Sequence, residues 1–321
     1  MRHSLDATEQ RIAAALLEAP RASWRTIGRC LGLSERTVLR RAAPLYADGT
    51  LRATIVRNPM CFPALTPVAL RIRCRPTKIG AVARALARRP DTVWVEILGG
   101  GDEISIVAFL DGPEARNGLL LRDLPATSAI ESWTAQHLLR VFTTTLDGAC
   151  GLLSADETAS LNPALPPADP PVPQAADHRL IDALTVDGRA GYGELAEQAG
   201  LTAVTARRHL AALVRARMIR IATEMDLALL GIGVETLLWL TVRPSDLEGT
   251  ARALSDHPHV RFAAATTGAT NLLIAVATTD PNALYLFLTE TLGPLSGIVS
   301  VETVPILSTV KRTGITRRDV T

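Results

Sequence analysis

Lysine is nearly missing from this chain of 321 residues: only Lys78 and Lys311 occur, so arginine carries almost all of its positive charge. Arginine's planar fork suits bidentate phosphate contacts better than an ammonium does, which makes the placement of the arginines informative. Cysteine is scarce too. Cys30, Cys61, Cys74 and Cys150 stand far apart, without a C-x-x-C pair or a nearby histidine pair. That spacing excludes a zinc site read from sequence and leaves four reduced thiols as the expectation. Long apolar runs are also lacking. The greasiest stretch, "LALLGIGVETLLWLTV", is broken by Glu235 and falls short of the ~20 residues of a membrane span. The opening "MRHSLDATEQRIAAALLEAP" has acids where a signal peptide carries its uninterrupted apolar region. A cytoplasmic protein without membrane contact is expected. Catalytic signatures are wanting as well: there is no G-x-S-x-G, no phosphate loop and no carboxylate pair at an interpretable spacing. The expectation is therefore no enzyme, with no catalytic residue, metal or cofactor. The "HPH" of His257 to His259 reads as the exposed end of a helix.

What is present is ordinary globular composition, 47% apolar and 21% charged, in a chain long enough for several domains. Its organising feature is a repeat. "TIGRCLGLSERTVLRRAAPLYADGTLR" (26–52) returns as "ELAEQAGLTAVTARRHLAALVRARMIR" (194–220), with Leu33 and Leu201 168 residues apart. Distant landmarks keep that offset: Arg21 with Arg189, Pro76 with Pro244, Pro90 with Pro258, Gly100 with Gly268, Ile130 with Ile298. A shared register over more than a hundred residues means a duplicated two-domain unit. The stretch 146–176, rich in Pro and Ala, reads as a semi-extended tether between the copies.

The first domain of each copy (1–58 and 177–226) has helix-turn-helix order. Apolar Ile12, Leu16 and Leu17 fall at helical spacing, and a short helix near Trp24 to Cys30 ends at Gly32. Ser34, matched by Thr202, is placed to cap the next helix. A strand or wing follows. The second helix of such a pair offers its exposed N-terminal face to a DNA major groove. Candidate DNA-binding residues are Ser34, Arg36, Thr37, Arg40 and Arg41 in copy one, and Thr202, Thr205, Arg207, Arg208 and His209 in copy two. Arginine reads guanine edges or holds phosphate, and threonine bonds phosphate or touches a thymine methyl. Residues 1–58 hold ten Arg against five acids, whereas 177–226 hold seven of each, so copy two is the weaker electrostatic partner. Pro44 is expected to kink the long helix or end it early.

The second domains (66–145 and 234–314) alternate as βαββαβ, the ferredoxin-like order, giving an α+β protein with two winged helix-turn-helix domains and two such sheets.

At Leu5-Asp6, Arg21, Gly32-Leu33-Ser34, Thr37-Val38, Arg40-Arg41, Leu45, Gly49 and Leu51 the chain resembles the Lrp/AsnC family of transcription regulators. Copy two matches more loosely, with His209 for the second Arg and Arg217 for the helix-ending Gly. The resemblance implies a regulator of double-stranded DNA whose second domain dimerises and senses a small molecule, often an amino acid. The family's Gly-x-x-Asp turn corresponds to Gly100-Gly101-Asp102-Glu103 and to Gly268-Ala269-Thr270-Asn271. Gly100, Asp102, Glu103, Gly268, Thr270 and Asn271 are the implied effector site: turn amides cradle a carboxylate, while an acid holds an ammonium. One fused chain then does the work of a family dimer, an intrachain pseudo-dimer open to further homo-oligomerisation. Two alternatives share the architecture. One is a siroheme decarboxylase-like enzyme, whose turn carries a Trp-Pro-Tyr-Asn-like sequence where this chain has "TTGATNLL" and "LGGGDEIS". The other is an effector-independent DNA-organising protein.

Overall fold

The computed structural model describes residues 4–143, 151–162, 168 and 170–317. Copy one contains α1 (Ala7–Glu18), α2 (Trp24–Leu31), α3 (Glu35–Ala47) and β1 (Arg52–Arg57). Then come β2 (Leu65–Cys74), α4 (Ile79–Ala87), β3 (Thr92–Leu98) and β4 (Glu103–Asp111). A π-helical stretch joins α5 (Gly112–Asn117) to α6 (Leu124–Ala126), and β5 (Ile130–Thr143) closes the copy. After α7 (Ala155–Leu161), copy two runs α8 (Ala175–Val186), α9 (Tyr192–Ala199), α10 (Ala203–Arg215), β6 (Ile219–Glu224) and β7 (Val234–Val242). It ends with α11 (Leu247–Ser255), β8 (Val260–Thr266), β9 (Leu272–Thr278), α12 (Pro281–Leu286), β10 (Ile298–Arg312) and β11 (Ile315–Thr316). The first three helices of each copy begin and end at positions 168 apart.

These elements form two compact units grouped by domain type rather than by copy: Met1–Phe62 with Gly148–Leu230, and Pro63–Asp147 with Gly231–Thr321. In the helical unit, Ile12, Leu16, Ile27, Val38 and Leu45 are fully buried, as are Leu180, Leu184 and Leu195 of copy two. The strands read as wings pair with each other. β1 and β6 run antiparallel with Thr54 opposite Ala222, its own counterpart, so an approximate two-fold axis passes through this ribbon. The tether is not extended throughout. Within it, α7 is closed by a capping box at Ser154, buries Leu161, and joins copy one through an Arg11–Glu157 ion pair. The sequence "SADE" supplies the cap and an acidic first turn, which stabilise a helix that the flanking prolines hide from a compositional reading.

In the sheet unit, β3-β4-β2-β5 and β8-β9-β7-β10 each have ferredoxin-like order. The final strands cross over: β5 pairs with β8 and β10 with β3, closing a ring of eight strands in which Leu138↔Thr266 and Ile306↔Leu98 are equivalent pairings. One face of each sheet packs on its helices, around Leu70, Ile104 and Leu86 in copy one and Leu240, Ile274 and Leu254 in copy two. The opposite faces meet in a shared core containing Trp94, Leu98, Trp239 and Phe262. Counterparts touch there. Trp94 meets Phe262 at a tilt of 55° with centroids 5.2 Å apart, and Arg71 lies over the Trp239 ring at 5.2 Å. Only a pseudo-symmetric pair of copies brings equivalent positions together in this way. A buried ion cluster joins the copies asymmetrically: Arg261 contacts Glu96 and Glu235, each at 3.1 Å, and Arg312 reaches Glu235 at 2.7 Å.

Candidate DNA interface and effector turns

Gly32 takes φ +69° at the end of α2, a left-handed turn that glycine adopts without cost, and Ser34 then caps α3. The Ser34 Oγ accepts the Thr37 amide at 3.1 Å and lies 2.8 Å from the Thr37 hydroxyl. Copy two repeats the arrangement, with Gly200 at φ +67° and Thr202 Oγ1 accepting the Thr205 amide at 3.2 Å. Both recognition helices have 13 residues. Pro44 does not shorten α3: the buried Leu45 anchors the last turn, and the missing donor frees only the carbonyl of Arg40 near the helix end.

Arg36 and Arg40 stand exposed on α3, and Arg25 and Arg29 stand exposed on α2 at a spacing of four, which places them on one helix face. None of these four arginines has an ion pair among the described residues. Arg25 and Arg29 lie outside the set expected from sequence, although their spacing of four is a signal that could have found them. Arg41 departs from expectation. Its guanidinium turns back to the start of α1, 2.5 Å from Asp6 and 3.7 Å from Glu9, and so braces α3 on α1. His209 does the same in copy two, its Nδ1 2.8 Å from Asp177, the counterpart of Glu9. Position 41 of the repeat is thus an internal strut in both copies. Arg207 and Arg208 remain exposed.

The turns of the sheet unit also differ from the sequence reading. Glu103 is not available to a ligand ammonium: both its oxygens are held by Arg71, at 2.5 and 3.0 Å. Arg71 in turn binds Glu302 of copy two; the two carboxylates raise the guanidinium's basicity further, while the hydrogen bond from Arg71 holds Glu302 below the usual carboxylate range. Asn271 is equally committed. Its amide donates to the Val242 carbonyl at 2.7 Å and accepts the Val242 N–H at 2.8 Å, extending the β7–β9 ladder by one side chain. Thr270 receives the Gln136 amide at 3.0 Å, so each turn is gripped by the other copy's last strand. The left-handed residue of the copy-one turn is Gly101, at φ +70°, rather than Gly100, where an added Cβ would fall 2.5 Å from Asp102 Oδ1. Gly268 has φ +104° and a Cβ there would strike Gln136. Asp102 is half-buried, with Arg73 3.9 Å away.

Known proteins agree with these elements. The AsnC-type helix-turn-helix domain matches residues 5–45, and the Lrp/AsnC ligand binding domain matches residues 235–316. In both domain types the chain is similar to the Lrp/AsnC family. An uncharacterized HTH-type transcriptional regulator of Pyrococcus furiosus is 29% identical over 142 residues, 44% of this chain and 95% of that protein. Its namesake in Pyrococcus horikoshii is 27% identical, over 44% and 89%. Among solved structures, the siroheme decarboxylase NirDL aligns over 96% of this chain and 93% of its own, with TM-score 0.60 and 11% identity. That likeness is one of fold, and it spans both copies of the repeat. Cys30, Cys61 and Cys74 are free thiols, while Cys150 lies outside the described residues. No helix among the described residues is long and apolar enough to cross a membrane.

Proposed function

We propose that this Lrp/AsnC-like protein is a sequence-specific regulator of transcription whose DNA binding responds to a small molecule. The observation that carries the reading is the copy-one face: four exposed arginines without ion pairs among the described residues, Arg25, Arg29, Arg36 and Arg40, beside Thr37 on a capped helix-turn-helix. In such modules the first helix crosses the backbone and the second enters the major groove, so Arg25 and Arg29 hold phosphates while Arg36, Thr37 and Arg40 reach base edges or phosphates. The effector is a small amine-bearing acid such as an amino acid, held at the copy-one turn with Asp102 as the carboxylate that remains for its ammonium. Pairing of chains through the sheet units and action in the cytoplasm complete the reading. Fluorescence anisotropy with duplex DNA tests it: Arg36→Ala with Arg40→Ala should weaken binding at least tenfold and flatten the salt dependence by ~0.9 in log-log slope for each phosphate no longer held. Unchanged affinity and slope would remove the interface.

The whole-chain likeness to NirDL favours a second reading, a decarboxylase of a tetrapyrrole. The side chains between the sheets fit it poorly, since Trp94, Leu98, Trp239 and Phe262 fill that space with one another and the neighbouring charges are paired. Mixing the protein with an iron tetrapyrrole decides the matter: a shifted absorption band together with removal of carboxyl groups from the macrocycle would favour the enzyme.

A further inference from the structure

Both copies keep the helix-turn-helix geometry, yet the chemistry on their outward faces has parted. At the seven exposed positions of α2 and the first six residues of α3, copy one has Arg25, Thr26, Arg29, Glu35, Arg36, Leu39 and Arg40, a net charge of +3. The same positions of α9 and α10 are Gly193, Glu194, Glu197, Ala203, Val204, Arg207 and Arg208, a net charge of zero. Two glutamates stand on the helix that would cross the phosphate backbone, and Val204, 80% exposed, takes the place of Arg36 at the first turn of the reading helix. Phosphate contacts supply most of the affinity of such modules, so a neutral face with carboxylates on the crossing helix gains little and repels the backbone.

From these faces we infer that one chain grips a single DNA half-site through copy one alone, and that copy two's helix-turn-helix serves as its brace. This inference rests on the DNA-binding reading above. The brace is visible in atomic contacts. Arg189 of copy two lies 4.1 Å from the Trp24 ring centroid and 5.7 Å from that of Tyr46, touching the first residue of α2 and the last turn of α3. It also bonds the carbonyls of Pro20 and Ala22, and β6 covers β1 along six residue pairs. Copy two therefore holds the relative placement of the two helices that would meet DNA. A second half-site, where an operator has one, is read by a second copy of this chain.

The test selects sites for the full-length chain from a duplex library with a randomised core of about two and a half helical turns, long enough for two half-sites. A single half-site motif without an inverted partner at one-turn spacing supports the inference, and an inverted repeat bound by one chain overturns it. Counterpart variants supply the second arm: Arg40→Ala should weaken binding tenfold or more and Arg208→Ala less than threefold, with equal weakening overturning the inference. The third arm restores charge. Gly193 has open space around its Cβ position and Glu197 is exposed. Gly193→Arg with Glu197→Arg should therefore steepen the salt dependence by up to ~1.8, the value for two new phosphate contacts. A steepening with no change in fold supports a face that lacks only charge, and an unchanged slope overturns it. Wild-type protein that binds no duplex even at low salt would instead defeat the DNA-binding reading itself.

Discussion

Arg21 and Arg189 occupy the same position in the two copies, and each guanidinium bonds the two carbonyls that flank the other. Arg21 donates to Gly188 and Ala190 at 2.8 and 2.9 Å, and Arg189 donates to Pro20 and Ala22 at 2.5 and 3.1 Å. The stacking is reciprocal too, Arg189 on Trp24 and Arg21 on Tyr192, which is Trp24's counterpart. Removing one guanidinium orphans two half-buried carbonyls and a ring face. Arg189→Ala should lower the stability of the helical unit by about 2–4 kcal/mol, read as an earlier unfolding transition by circular dichroism.

Adjacent arginines on α3 should behave in opposite ways. Arg41 is tied to Asp6 and Glu9, so Arg41→Ala should leave DNA affinity within about twofold and its salt slope unchanged, whereas Arg40→Ala should reduce both. A titration of each variant across salt concentrations separates the strut from the DNA-facing residue.

Glu235 sits in the buried cluster. Burial alone would raise its pKa, but Arg312 and Arg261 overcome it and lower the value to about 2. A carboxylate with a depressed folded-state pKa contributes stability above its unfolded value of about 4.3, and that contribution disappears as pH falls toward 2. The sheet unit should therefore weaken over that window. Glu235→Gln should flatten the dependence and cost about 3–5 kcal/mol at neutral pH, because it leaves two buried guanidinium groups undercompensated. Urea unfolding as a function of pH measures both.

Arg217 replaces the helix-ending Gly49 of copy one while keeping a left-handed backbone, φ +53° against +79°. The strained conformation costs about 1 kcal/mol, and glycine's greater freedom in the unfolded chain offsets part of what its removal would return. Arg217→Gly should stabilise the chain by about 0.5 kcal/mol, visible as a small rise in melting temperature.

Caps, turns and the repeat register were legible in the residues alone, because they depend on neighbours three or four positions away or on a constant spacing. Ser34, Thr202, Gly32 and the 13-residue length shared by α3 and α10 all belong to that class. Two ferredoxin-like sheets and two helix-turn-helix modules followed from the same local patterns. Tertiary structure decided the partners. Arg41 and Asp6 are 35 residues apart, Arg71 and Glu302 are 231 apart, and nothing in the local pattern distinguishes a solvated arginine from one turned inward. The same holds for Glu103 and Asn271, whose side chains suit a ligand as well as they suit the bonds they make here. Likewise the wing strands could have stood alone; their pairing depends on a copy 168 residues away. Duplication was written in the sequence, but which side chains it left exposed and which it bound into the fold was decided only by packing.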